Sequence, residues 1–104
     1  MIERDVVLAD VDGKWRPAIL LERRGDAWLV ACMTSKLHPS EVPRIRISRR
    51  HERQWFGNLR LTATSYLYRR NIAVLPRDQL GPALHEGRCP PDLFDQIRTL
   101  LLEP

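Results

Sequence analysis

Two short apolar runs, Ala18–Leu21 and Ala27–Met33, flank the turn-forming Arg23-Arg24-Gly25-Asp26, and neither alternates apolar with polar residues. Runs this short, bounded by turn signals, read as strands covered on both faces. The hairpin they predict therefore needs a layer on each side. A small closed barrel meets that demand, as does a sheet with a helix on one face and a partner on the other.

The neighbouring segments fit the same scheme. Val6–Val11 is a short apolar strand ended by Asp12-Gly13, and Pro17–Leu21 is a second strand with proline at its first position, where a missing N–H is tolerated. Arg44–Ser48 alternates strictly, with Arg44, Arg46 and Ser48 on one face and Ile45 and Ile47 on the other. Thr64–Tyr68 and Asn71–Pro76 read as two more strands. From Pro91 onward, Leu93, Phe94, Ile97, Leu100 and Leu101 follow helical spacing, and Asp92 and Asp95 suit the first turns of a core-packing helix. The expected class is mainly β with a C-terminal helix.

A chain of 104 residues is expected to form a single domain spanning 1–104, and chains of this size often gain stability by dimerising. No apolar run approaches the roughly 18 residues of a membrane-spanning helix, and the start MIERDVV lacks the apolar stretch of a signal peptide, so a cytoplasmic protein is expected. Cys32, inside an apolar run, reads as a buried reduced thiol; Cys89, before two prolines, reads as a loop residue. No metal-ligand spacing is present, and neither a metal nor a cofactor is expected. The net charge is +4, and 15 of the 17 basic residues are arginine, Lys14 and Lys36 being the lysines. Guanidinium pairs bidentately with phosphate and stacks on bases, so such a surface suits nucleic acid. A genome rich in G and C gives the same bias, and position has to decide.

The hairpin decides where one arginine goes. Opposite residues of an antiparallel pair have a constant sum of positions. A loop at Arg24-Gly25-Asp26 sets Arg16 opposite Thr34, one at Gly25-Asp26 sets it opposite Ser35, and one at Arg24-Gly25 sets it opposite Met33. Every register brings Arg16 to the segment Met33-Thr34-Ser35-Lys36, with opposite Cβ atoms about 4.5–5.5 Å apart. A guanidinium, two hydroxyls, Lys14 and Lys36 thus converge on a phosphate-sized rim.

The order of these segments (DVVLADVDGKWRPAILL, LVACMTSK, SYL and a closing amphipathic helix) resembles the MazF/PemK family of toxin endoribonucleases. The most specific parts are Arg16-Pro17 and Thr34-Ser35. The resemblance covers about Asp5 to Leu102 and implies a small SH3-like barrel of the MazF/CcdB kind, forming a symmetric homodimer. It implies sequence-selective cleavage of single-stranded RNA, mRNA included, and neutralisation by a cognate antitoxin with an acidic tail. Arg16 and Thr34 fall on the family's catalytic positions. Two departures stand out: the family usually has glycine before the aspartate of the first strand, where this chain has Arg4, and the loop before Arg16 is shorter than in relatives.

Metal-free cleavage would run by attack of the ribose 2′-OH on phosphorus, leaving a 2′,3′-cyclic phosphate and a 5′-OH. Arg16 is expected either to protonate the leaving 5′-oxygen or mainly to stabilise the developing negative charge, with Thr34 as a hydrogen-bond donor and Ser35 in support. His38, His51 and His85 read as exposed loop histidines, although His38 follows the site closely enough to approach it. RNA binding is expected from Lys14, Trp15, Lys36, Arg44, Arg46, Arg49, Arg50 and Arg53, with Trp55 and Phe56 as stacking surfaces or interface residues. Ser65, in the segment Leu61–Tyr66 that also looks like the family's, joins this set. Two alternatives stay open: a CcdB-like gyrase inhibitor, and a non-catalytic nucleic-acid-binding relative.

Overall fold

A computed structural model describes residues 1–47, 64–83 and 88–102. Seven strands occur among the described residues: β1 Val6–Val11, β2 Lys14–Arg24, β3 Ala27–Cys32, β4 Arg44–Ile47, β5 Ser65–Tyr68, β6 Ile72–Pro76 and β7 Leu80–Ala83. A helix, α1 Pro91–Ile97, continues into a wider turn over Arg98–Leu102. The chain is mainly β with a C-terminal helix, as expected.

Local chemistry sets the two tight hairpins. Asp12 and Gly13 both take positive φ, 54° and 79°, between the paired residues Val11 and Lys14. That is the backbone of a type I′ turn, for which Asp-Gly is a favoured pair. Because the turn is so short, β2 begins at Lys14, three residues before Pro17. Pro17 therefore lies inside the strand, opposite Leu8. The absence of its N–H is harmless for another reason: that side of Pro17 faces β3 just beyond the last ladder pair, Ala18–Cys32, and the Pro17 carbonyl still accepts from the Met33 N–H at 2.9 Å.

The second hairpin turns at Gly25-Asp26, with Arg24 paired to Ala27 and Gly25 at φ 61°. That loop alone would set Arg16 opposite Ser35. A bulge between Leu20 and Glu22 takes up one residue, so the pairs below it are Leu20–Val30, Ile19–Ala31 and Ala18–Cys32. The same register carried two residues further sets Arg16 opposite Thr34. Beyond the bulge Glu22 pairs with Leu29, and its half-exposed carboxylate meets the Arg24 guanidinium at 3.3 Å.

The main sheet runs β6-β3-β2-β1-β7, and β4 and β5 form a separate pair. β6 and β7 lie at opposite edges yet are joined only by the 3₁₀ turn Arg77–Gln79. In a flat sheet those edges would stand about 19 Å apart, further than four peptide steps reach, at most about 14 Å. The sheet is therefore strongly curled. Among the described residues no ladder joins β6 to β7, so the sheet is open rather than closed into a barrel. β7 was not expected; its Gly81-Pro82 is tolerated because β7 is an edge strand.

Curling explains how β2 and β3 are covered on both faces. Val7, Ala9, Ala18, Leu20, Trp28, Val30, Cys32 and Leu80 fill the inside of the curl. The outer face carries Val6, Ile19, Leu21, Leu29, Ala31 and Met33, which pack against Ile45, Ile47 and Leu67 of the small sheet and Leu93, Phe94, Ile97 and Leu101 of the C-terminal segment. Leu100, expected in that helix's apolar face, is instead 37% exposed, because the turn widens after Ile97. Cys89 lies in the loop before α1, as expected, and is fully buried in the outer cluster. The Arg98 guanidinium reaches back to the Leu21 carbonyl at the bulge, 3.4 Å away.

Candidate nucleic-acid groove

At the end of the curl opposite Trp28, the strands leave a groove of about 410 Å³. β1 and its turn supply Val11 and Asp12, β2 supplies Lys14 and Arg16, and the end of β3 with the following loop supplies Cys32, Thr34, Lys36 and His38. Arg70 and Asn71 enter from the 3₁₀ turn before β6. Among the lining residues, histidine apart, the cations Lys14, Arg16, Lys36 and Arg70 thus stand with one carboxylate, Asp12, while Arg70 is ion-paired with Glu41 outside the lining.

Arg16 is half-buried, pairs with Ala9 across β1 and projects from the inner face of the sheet. Thr34 is 8% exposed and is held by two backbone hydrogen bonds with Tyr66, 3.0 and 2.7 Å, which link the main sheet to the small one. Its Oγ1 also accepts from the Lys36 N–H at 3.3 Å. The guanidinium and the hydroxyl expected to act together do line one groove, and Lys14 and Lys36 join them.

The loop carrying Lys36 and His38 is fastened from below. Tyr68 is fully buried, and its hydroxyl donates to the Lys36 carbonyl at 3.1 Å while accepting from the His38 N–H at 2.9 Å. The His38 ring stands edge-on to the Tyr68 ring, centroids 5.6 Å apart at 71°. His38 is therefore half-buried and lines the groove, where an exposed loop residue was expected. On the other side of Tyr68, Arg70 lies over the ring at 5.7 Å and pairs with Glu41 at 3.0 Å. The Asn71 Oδ1 is buried at the groove with no hydrogen-bond partner.

Cys32, on the groove floor, is pushed up to about 11 from the usual thiol value by burial, against the opposing pull of the Arg16 charge. It stays a thiol at neutral pH and contributes shape rather than nucleophilicity.

Other expected site residues lie elsewhere. Ser35 is exposed and is not among the groove-lining residues. Trp15 alternates to the opposite side of β2 from Arg16; it is 54% exposed, and its ring lies 3.6 Å from where a Cβ on Gly81 would stand. Ser65 is 5% exposed, paired with Ile47 in the small sheet, and does not reach the groove. Arg44 donates to the Pro39 carbonyl at 3.1 Å, and Arg46 is exposed on the outer side of β4; neither lines the groove. Asp10 pairs with Trp15 on the side of β1 away from Arg16, whereas Asp12 borders the groove. Arg49, Arg50, Arg53, Trp55, Phe56, Arg60, His51 and His85 lie outside the described residues.

Sequence reasoning missed Tyr68, Arg70 and Asn71 as parts of the site. Nothing local marks them, because they reach the groove only through the docking of the small sheet and the turn into β6. No protein-family model and no curated protein matches the chain.

Proposed function

We propose that this chain is a metal-independent, sequence-selective endoribonuclease toxin of the MazF/PemK kind, acting on single-stranded RNA in the cytoplasm. The observation that carries the reading is the shared groove, in which Arg16 from β2 and the Thr34 hydroxyl from the end of β3 lie among Lys14, Lys36 and Arg70. A groove so charged attracts a polyanion rather than a metal cation.

In the proposed reaction the 2′-oxygen attacks phosphorus in line with the departing O5′. Negative charge gathers on the non-bridging oxygens, where Arg16 offers a planar pair of donors and Thr34 a hydroxyl. The half-buried setting makes each donor more effective than it is in open water. Two features of the fold support the family reading further. The curled five-stranded sheet with its short 3₁₀ connection is what a small SH3-like barrel requires. The backbone at Arg4 is left-handed at φ 74°, the position at which relatives usually carry glycine. On this reading the same basic groove is also the docking site for an acidic antitoxin tail, and the toxin works as a homodimer.

The test is cleavage of a single-stranded RNA by the purified protein in EDTA, with product ends mapped. Cyclic phosphate and 5′-OH ends are expected, with Arg16→Ala and Thr34→Val each slowing cleavage about 10²–10³-fold. Tight RNA binding without cutting would instead support a non-catalytic binding module. Growth arrest relieved by gyrase mutations, with no RNA cut, would support a gyrase inhibitor.

A further inference from the structure

We propose that His38 is the general base of this groove, taking the proton of the ribose 2′-OH as that oxygen attacks phosphorus. The inference rests on the nuclease reading above and supplies the proton acceptor which that reading lacks.

The groups lining the groove narrow the choice. A guanidinium does not give up its proton in proteins, so Arg16 and Arg70 serve as electrostatic donors. Lysine in ordinary surroundings is protonated at neutral pH. Burial keeps Cys32 a thiol, and Thr34 offers a hydroxyl that binds but does not accept a proton near neutrality. Asp12 is exposed at the tip of the β1–β2 turn, without a hydrogen bond or ion pair among the described residues. Imidazole is the side chain whose ordinary chemistry exchanges protons near neutral pH, and His38 is the histidine that lines the groove among the described residues.

Its mounting argues for the same role. A general base has to be held within hydrogen-bond reach of the proton it removes. His38 is seated on Tyr68 twice, through its own N–H at 2.9 Å and through the edge-on ring contact at 5.6 Å. Tyr68 is itself fully buried between the small sheet and the loop, and Thr34 is tied to Tyr66 two residues earlier on the same strand. One strand, β5, thus holds both the charge-stabilising hydroxyl and the imidazole. In the step, the 2′-oxygen–phosphorus bond forms and the phosphorus–O5′ bond breaks. The 2′-OH proton passes to the free ring nitrogen of His38 and then to water, and O5′ takes its proton from solvent.

The experiment is single-turnover cleavage of an RNA oligonucleotide in EDTA, alongside binding of the same sequence with a 2′-deoxy residue at the cut site. His38→Ala is expected to slow cleavage about 10²–10⁴-fold. Affinity for the 2′-deoxy strand stays within about twofold, and added free imidazole restores part of the rate. His38→Gln, which keeps bulk and hydrogen bonding, should be equally slow. A folded His38→Ala or His38→Gln protein that cuts within about threefold of the native rate overturns the assignment while leaving the nuclease reading intact. So does a loss of rate matched by an equal loss of 2′-deoxy binding. A native protein that cuts no RNA removes the nuclease reading and this inference with it.

Discussion

Arg4 shows how much one backbone angle can reveal. It closes a tight turn in which the Asp5 N–H donates to the Ile2 carbonyl at 3.1 Å, and it does so at φ 74°. An L side chain there is strained by about 1–2 kcal/mol, which glycine avoids. The strain is offset by bonds across the chain: the Arg4 Nε donates to the Cys89 carbonyl at 2.8 Å, the Cys89 N–H donates to the Arg4 carbonyl at 2.9 Å, and the Arg4 N–H reaches Leu20. Replacing Arg4 removes the side-chain bond, worth about 1 kcal/mol, whatever the substitute. Arg4→Ala keeps the strain and Arg4→Gly relieves it. Urea denaturation should therefore find Arg4→Gly more stable than Arg4→Ala by about 1 kcal/mol, and equal midpoints would show that the angle carries no penalty. The unusual residue was visible in the sequence, but its conformation was not, because its bonds to Leu20 and Cys89 join segments far apart in the chain.

At the scale of elements, hairpins were legible and their docking was not. Asp12-Gly13 and Gly25-Asp26 announce turns because few residues take positive φ cheaply. The alternation of Arg44–Ile47 correctly put Ile45 and Ile47 inside. The bulge at Leu21 could not be read, since no local residue marks where the β2–β3 register shifts. Even so, each candidate loop kept Arg16 beside the Thr34 segment, so that part of the site survived the error. Tyr68 was legible as a strand residue only; its work is done by a hydroxyl meeting a loop 30 residues earlier in the chain. Tyr68→Phe keeps the ring and leaves the Lys36 carbonyl and His38 N–H without their partner. Stability should fall by about 1–3 kcal/mol, with faster amide exchange at His38. Unchanged exchange at that amide would mean the hydroxyl does not hold the loop.

At the scale of the whole molecule, two apolar clusters occur among the described residues, and each holds one free thiol: Cys32 inside the curl and Cys89 beneath the C-terminal segment. Burial raises them from 9.0 to about 11 and about 12, respectively. Well below pH 9 both thiols are protonated in the folded and the unfolded chain, and their stabilising contribution is complete. Above it the unfolded chain releases these protons first, so stability falls as pH rises toward the folded values, by up to about 1.4 kcal/mol per thiol per pH unit. Urea midpoints measured from pH 8 to 11 should decline less steeply in a Cys32→Ala/Cys89→Ala protein than in the native one. Parallel declines would assign the loss to other groups.

The pair of backbone bonds between Thr34 and Tyr66 has a consequence at a distance. It is the seam along which the small sheet is stitched to the large one, and the imidazole, the hydroxyl and one of the lysines all hang from it. The interior of the curl does not depend on that stitching. Peeling β5 away would scatter the groove and uncover part of the outer face of the five-stranded sheet. A ligand that levered at the small sheet would therefore dismantle the groove without coming near Arg16.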